Sequence, residues 1–355
     1  MEYRWQNKSY NSVNVSTLQE ELKIHPVLCQ LLDQRNIQSY NQAKEFFRPD
    51  LDDLHDPLLM KDMDVAVLRI MQAIENKEKV MVYGDYDVDG TTSVALMFSF
   101  LRSHIEDLSY YIPDRYKEGY GISMLSIDEA DNEGVKLVIA LDCGITAVDK
   151  IQYANDKKID FIICDHHLPK DTLPDAVAVL DPKRKDCEYP FKELSGCGIG
   201  LKLIQALSES MSLNDEEWMQ YLDLAAISTA SDIVPIVGEN RAIAYYGLKR
   251  INEQPRLGIQ SLLRLSQFDK ELTITDVVFI IGPRINAAGR LGDAKNAVRM
   301  LVANTVEEAD REAAILQSRN TDRKTLDKEI TAEAIHLIES NELIRQRKST
   351  VLFNE

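Results

Sequence analysis

Between residues 79 and 181, short and largely apolar runs alternate with stretches of helical periodicity. That alternation narrows the possible folds more than any other feature of the chain. The runs fall at 79–84, 108–112, 137–142, 160–164 and 177–181, with helical patterns at 91–103, near 123–133 and near 147–157. Strands that are apolar on both faces need helices over both faces, and strand–helix alternation with short links builds a doubly wound sheet. The expected fold class is therefore α/β: a mainly parallel sheet flanked by helices, with a helical extension and a long C-terminal connector helix.

In an open parallel sheet the carboxyl ends of the strands share one crevice, and ligands bind there. This chain sends unusual chemistry to those ends. Asp85-Tyr86-Asp87-Val88-Asp89-Gly90 follows the first run, Asp142 follows Leu137-Val138-Ile139-Ala140-Leu141, and Asp165-His166-His167 follows Phe161-Ile162-Ile163-Cys164. Three aspartates in one loop repel one another unless a cation sits among them. The i, i+2, i+4 spacing lets a tight loop aim several carboxylates at one point, and Gly90 is expected to permit the turn into a helix starting at Thr91.

Two ions about 3.5–4 Å apart need three or four ligands each and a bridging carboxylate. Mixed imidazole and carboxylate ligation suits Mn²⁺ better than Mg²⁺. A calcium loop fits less well. Its twelfth position would be Leu96, where a bidentate Glu is required, and the segment follows a strand rather than a helix.

Other candidates are weaker. Asp232, at a helix end before Ile233-Val234-Pro235, reads either as a turn residue or as a further ligand. Asp181-Pro182-Lys183 reads as a strand-end turn. Gly196-Cys197-Gly198-Ile199-Gly200 opens a helix and reads either as a phosphate cradle or as close helix packing, but no Gly-Lys-Ser/Thr follows it. His25, His55, His104 and His336 have no comparable neighbours in sequence.

Residues 1–78 read as a helical segment packed on the core. Beyond 195 the chain turns helical, at about 196–210, 215–230 and 239–252, with a break at Gly282-Pro283-Arg284. Residues 306–348 read as a connecting helix, with Glu307 to Ile344 forming one or two long, charged helices. Residues 349–355 read as a turn entering a strand, so the chain is expected to be the N-terminal piece of a longer protein.

The 355 residues carry a net charge of −17, which argues against a broad nucleic-acid-binding surface and implies either a local basic track or a basic region outside this chain. No apolar run approaches the ~20 residues of a membrane span, and no signal-peptide layout opens the chain. Five cysteines without zinc spacing are most simply reduced thiols, which points to a cytoplasmic protein.

Taken together, Val82-Tyr83-Gly84-Asp85-Tyr86-Asp87-Val88-Asp89-Gly90-Thr91-Thr92-Ser93, Leu141-Asp142-Cys143-Gly144, Cys164-Asp165-His166-His167 and Ser231-Asp232-Ile233-Val234-Pro235 resemble the ordered motifs of the DHH phosphoesterase superfamily. Within it, Arg115-Tyr116-Lys117-Glu118-Gly119-Tyr120-Gly121 and Gly282-Pro283-Arg284-Ile285-Asn286-Ala287-Ala288-Gly289-Arg290-Leu291 resemble the single-strand-specific 5′→3′ DNA exonucleases. The resemblance covers about residues 50–355.

It implies two Mn²⁺ (or Mg²⁺) held by Asp85, Asp87, Asp89, Asp142, His166 and Asp232, with Asp142 and Asp232 bridging. Asp142, His166 and His167 would be catalytic, His167 contacting the scissile phosphate or acting as an acid. Arg115, His167, Asn286 and Arg290 would hold substrate phosphates. The implied activity is a metal-dependent phosphodiesterase releasing 5′-mononucleotides from single-stranded DNA in repair and recombination. A single-strand-binding protein and a helicase would be partners of the full-length protein, and no membrane is involved.

The resemblance also makes 79–305 the DHH catalytic domain and 349–355 the start of a second, DHH-associated domain. The alternatives are a DHH phosphodiesterase for short oligonucleotides or cyclic dinucleotides, an inorganic pyrophosphatase, which would lack the arginine motifs, and an inactive replication scaffold, which would have lost ligands.

Overall fold

The computed structural model of the chain describes Arg4, residues 6–291 and residues 293–353. Three short helices come first: α1 (Ser12–Leu22), α2 (Pro26–Asp33) and α3 (Tyr40–Phe47). They close a small core of their own around Leu18, Cys29, Leu32 and Ala43. α4 (Met63–Glu75) then leads into the sheet.

The alternating half of the chain forms β1 (Val80–Gly84), α5 (Val88–Leu101), β2 (Leu108–Tyr111), α6 (Met124–Asn132), β3 (Leu137–Leu141), α7 (Val148–Asp156), β4 (Asp160–Cys164) and β5 (Ala178–Leu180). All five strands are parallel, in the order β2-β1-β3-β4-β5. The expected α/β class is borne out.

Strand periodicity divides the apolar residues between two cores. Val80, Val82, Ile139, Leu141, Ile162 and Cys164 face one side, where α4 and α5 pack. Met81, Tyr83, Val138, Ala140, Phe161 and Ile163 face the other, under α6 and α7. The chain leaves β1 for β2 on one side, then crosses back to β3 on the other. This switch point opens a crevice beyond the carboxyl ends of β1 and β3, and the loops bearing the acidic motifs emerge into it.

The rest is helical: α8 (Gly196–Ser210), α9 (Glu216–Met219), α10 (Leu222–Ser231), α11 (Gly238–Glu253), α12 (Leu257–Leu265), α13 (Ile274–Asp276), α14 (Gly282–Leu291), α15 (Lys295–Leu301), α16 (Val306–Ser340) and α17 (Glu342–Arg345). A buried ion pair ties this half to the N-terminal segment. Lys202 Nζ on α8 lies 2.8 Å from Glu239 Oε1 on α11, with both side chains fully buried. The ammonium also donates to His55 O at 2.7 Å, and Glu239 Oε1 accepts from His55 N and the Tyr189 hydroxyl, each at 2.9 Å.

Two expectations need correction. The chain does not break at Gly282-Pro283-Arg284, because α13 runs through a π turn at Val277–Ile281 straight into α14. Proline lacks the N–H of an α-helical ladder and crowds the carbonyl four residues back; a widened turn absorbs both faults. The 306–348 connector comprises two helices. α16 stops at Ser340, and Asn341 then caps α17 by accepting from Leu343 N and Ile344 N. Residues 349–353 are irregular and pair with no strand among the described residues, and Asn354 and Glu355 lie outside them.

Candidate metal centre and phosphate-binding residues

The loop after β1 is tighter than its sequence suggests. α5 starts at Val88, not Thr91, because Asp87 is its N-cap and accepts from Gly90 N at 2.9 Å. Asp89 therefore sits in the first helical turn. Gly90 is not a turn residue but a point of close approach: a Cβ there would lie 2.3 Å from Asp85 O and 2.5 Å from Asp85 N. The Asp85 carboxyl is fully buried, and neither oxygen has a hydrogen-bond donor among the described residues.

Asp142 ends β3 in the left-handed region, at φ 60°, which a residue with a Cβ rarely adopts. The N-terminus of α8 presses on it from above. A Cβ at Gly196 would stand 2.6 Å from Asp142 Cβ, so only glycine fits there. This settles the role of the glycine-rich segment. Gly196 N and Cys197 N donate to Asp89 Oδ2 and Oδ1 at 2.7 and 2.8 Å, and Ser228 Oγ donates to Oδ1 at 2.7 Å. The helix end holds a carboxylate of the chain itself, so close packing is the reading that stands.

His166 Nε2 faces three carboxylates: Asp142 Oδ1 at 3.2 Å, Asp89 Oδ2 at 3.6 Å and Asp232 Oδ2 at 3.6 Å. Asp232 thus joins the cluster rather than merely ending α10. Ligand atoms of Asp142, His166 and His167 lie within 4.8 Å of one another, as do those of Asp89, His166 and Asp232, so the common member is His166. Asp181 stays apart as a strand-end turn, accepting from Lys183 N at 2.7 Å, and burial pushes its carboxyl up to about 7.

Asp165 has a different task, one that sequence reasoning did not single out. Its Oδ1 accepts from His166 N at 2.8 Å and His167 N at 3.1 Å, and lies 2.7 Å from His167 Nδ1; its Oδ2 accepts from Ile145 N at 2.8 Å. Burial acts to raise its pKa, but the His167 contacts and the backbone N–H groups of Ile145 and His167 outweigh it, and the carboxyl lies below its ordinary value. The hydrogen bond that Asp165 accepts from His167 Nδ1 in turn raises His167, against partial burial. The other ring nitrogen, Nε2, points outward to Tyr120 Oη at 3.2 Å. The only sequence signal for this arrangement was an aspartate two residues before an imidazole at a strand end.

The remaining carboxylates are held against their own electrostatics. Burial and the charge of Asp87 push Asp85 up to about 7, burial and Asp89 raise Asp87, and burial among the neighbouring carboxylates raises Asp142 far above its ordinary value. Asp85 Oδ1 and Oδ2, Asp142 Oδ1, His166 Nδ1 and Asp232 Oδ2 are all buried without a hydrogen-bond partner among the described residues. Buried polar atoms are normally satisfied. A set of orphaned acceptors beside one imidazole is the donor set of a divalent-cation site, so the residues fit the metals the sequence implies.

The expected phosphate contacts lie around the rim. The Arg115 guanidinium sits 5.3 Å from the centre of the Tyr86 ring, and Tyr86 itself separates Asp85 from Asp87. Asn286 and Arg290 lie on α14 and line a small cavity with Ser231, next to Asp232. Tyr116 Oη donates to Arg290 O at 2.8 Å, joining the Arg115 loop to α14.

Comparison with known proteins agrees with this geometry. Residues 79–229 match the model of the DHH family, N-terminal domain. The single-stranded-DNA-specific exonuclease RecJ of Bacillus subtilis (strain 168) is 40% identical over 341 residues, covering 96% of this chain and 43% of that protein. A crystal structure of exonuclease RecJ bound to manganese superposes with a TM-score of 0.73 at 32% identity, covering 80% of this chain and 71% of that one. RecJ from Thermus thermophilus in complex with Mn²⁺ gives a TM-score of 0.77 at 28% identity, covering 90% and 46%. The chain spans about half the length of the curated relatives it matches.

Proposed function

The chain belongs to the DHH family, in its RecJ group, and from that premise we propose that it is a metal-dependent phosphodiesterase that removes 5′-mononucleotides from single-stranded DNA. The observation that carries this reading is the convergence of Asp85, Asp142, His166 and Asp232 at the sheet crevice with buried, unpartnered ligand atoms. Asp85, Asp87, Asp89, Asp142, His166 and Asp232 would hold two Mn²⁺ or Mg²⁺, with the imidazole favouring Mn²⁺. When bound, such ions lower the pKa of a water and offset the charge that builds on phosphorus in the transition state.

The chain's own residues do the rest. Asp89, anchored on the α8 N-terminus, fixes the start of α5 and the direction of the loop before it. Asp165 holds His167 by Nδ1 and keeps it protonated to higher pH, so Nε2 can hand a proton to the departing 3′ oxygen. Arg115, His167, Asn286 and Arg290 hold phosphates beside the crevice. Tyr116 and Tyr120, both exposed beside Arg115, offer ring faces on which unpaired bases stack without sequence readout.

A single-strand-binding protein and a helicase, which present such strands during repair and recombination, belong to the same reading as partners. So does a cytoplasmic setting, in which the five unpaired cysteines stay reduced. No helix among the described residues is long and apolar enough to cross a membrane.

The test is digestion of an oligodeoxynucleotide labelled at either end, with Mn²⁺, comparing wild type with Asp142→Ala and His166→Ala. Mononucleotides released from the 5′ end, and lost in both variants, are the expected result. Hydrolysis of dinucleotides alone would move the assignment to small-substrate phosphodiesterases.

A further inference from the structure

The connector helix α16 brings an arginine into the crevice region from 91 residues beyond Asp232. Arg323 lines a cavity of about 200 Å³ with Ser231, Gly282, Pro283, Asn286 and Arg290. That volume is below the ~300–1,000 Å³ of ordinary small-molecule sites, so the cavity suits one compact group rather than a whole nucleotide. Its polar lining is dominated by donors. Ser231 Oγ and Arg323 Nε are buried without a hydrogen-bond partner among the described residues.

Among the described residues no carboxylate lines the cavity, although the chain carries 58 acidic residues against 41 basic ones. The one hydrogen bond that the Arg323 guanidinium donates among the described residues runs from Nη2 to Asn320 Oδ1, at 3.4 Å, on a buried side chain of the same helix. Two guanidiniums, an amide and a hydroxyl around a small concavity are complementary to an anion. Arg323 is half-buried and Arg290 exposed, and neither is paired with a carboxylate among the described residues, so a bound anion would supply the counter-charge.

The cavity also adjoins the metal centre. Ser231 precedes Asp232, and a Cβ at Gly282 would lie 2.9 Å from Ser231 Oγ, so α14 closes directly on the end of α10. We infer that Arg323, with Arg290, Asn286 and Ser231, forms a pocket for one backbone phosphodiester of the bound strand, beside the phosphate that is cleaved. The inference rests on the nuclease reading and deepens it, by making the connector helix part of the substrate site and not only a spacer.

The experiment is binding of a fluorescein-labelled oligothymidylate to the full chain in chelator, read by anisotropy across a salt series. Neither metal nor cleavage is then needed. Arg323→Gln should bind about tenfold more weakly, as for loss of one charged hydrogen-bond partner. Its log–log salt slope should be shallower by about 0.7, the contribution of one phosphate contact on a single strand. Arg323→Lys should restore the slope. Arg311→Ala, on an exposed side chain of the same helix that pairs with Glu312, should bind as wild type.

Wild-type affinity in R323Q would overturn the inference, and so would a loss in R323Q that lysine does not recover. If R323Q melts early, Asn286→Asp keeps the side-chain shape and sets a carboxylate against both guanidiniums. It must weaken binding, and unchanged binding would overturn the pocket. Strand binding by wild type that depends on Arg323, without cleavage in Mn²⁺, would uphold the pocket and sink the nuclease reading.

Discussion

At the scale of single residues, the centre consists of groups that the fold keeps where they are least comfortable. Asp85, Asp87 and Asp142 are buried close together, and each has its pKa raised by burial and by its neighbours. An acid whose pKa is higher folded than unfolded binds more protons in the folded state, so its stabilising contribution is complete below about pH 4 and fades as pH rises through the folded value. For Asp85 that value is about 7. The metal-free protein should therefore melt at progressively lower temperature from pH 5 to pH 8, by an amount on the order of a few kcal/mol, and Mn²⁺ should flatten the profile. Calorimetric melts in chelator and in Mn²⁺ check this; a chelated protein that gains stability over that range would refute it.

Much of the centre was legible at this scale because its motifs are local in sequence. Strand, turn and ligand follow within a few residues in Asp85 to Gly90, in Asp142 and in His166, and the sheet then brings those loops together. What was hidden depends on distant partners. Nothing near Asp89 announces that Gly196 N and Cys197 N will hold it from 107 and 108 residues away. The early start of α5 was likewise masked, because an N-cap aspartate and a ligand aspartate look alike in sequence.

At the scale of elements, the ion pair between α8 and α11 is the feature with the clearest energetic consequence. Lys202 and Glu239 are fully buried and share His55, so the pair stitches the N-terminal segment to two helices of the other half. Removing one partner leaves a buried charge uncompensated. Lys202→Met should destabilise the protein by roughly 3–5 kcal/mol, while a double replacement of Lys202 and Glu239 by apolar residues of similar size should recover most of that loss. Urea denaturation of wild type and the two variants separates the cases, and a double variant no more stable than Lys202→Met would show that the pair is not coupled. The pairing could not be read from sequence, where Lys202 sits in an apolar helix and Glu239 follows a turn. The π turn before Pro283 was unreadable for a related reason: sequence marks a proline as a helix breaker and does not say when a wider turn will carry the helix past it.

At the scale of the whole molecule, the proposed function requires a chain of net charge −17 to meet a polyanion. The field of the protein opposes approach, so attraction must come from a few arginines at the crevice: Arg115, Arg290 and Arg323. Three phosphate contacts on a single strand predict a log–log salt slope of about −2. A much steeper slope would reveal a wider basic surface than these residues provide.

The 35 residues of α16 amount to a rod of about 50 Å. Its buried residues, Ala309, Glu312, Ala313, Leu316 and Asn320, all fall in the first half, and beyond Arg323 it stands almost wholly in solvent. A helix transmits twist with little loss along its length. On the proposed reading, whatever grips the solvent-facing half holds a handle on a guanidinium beside the cutting site, and a small rotation at one end becomes a change of grip on the strand at the other.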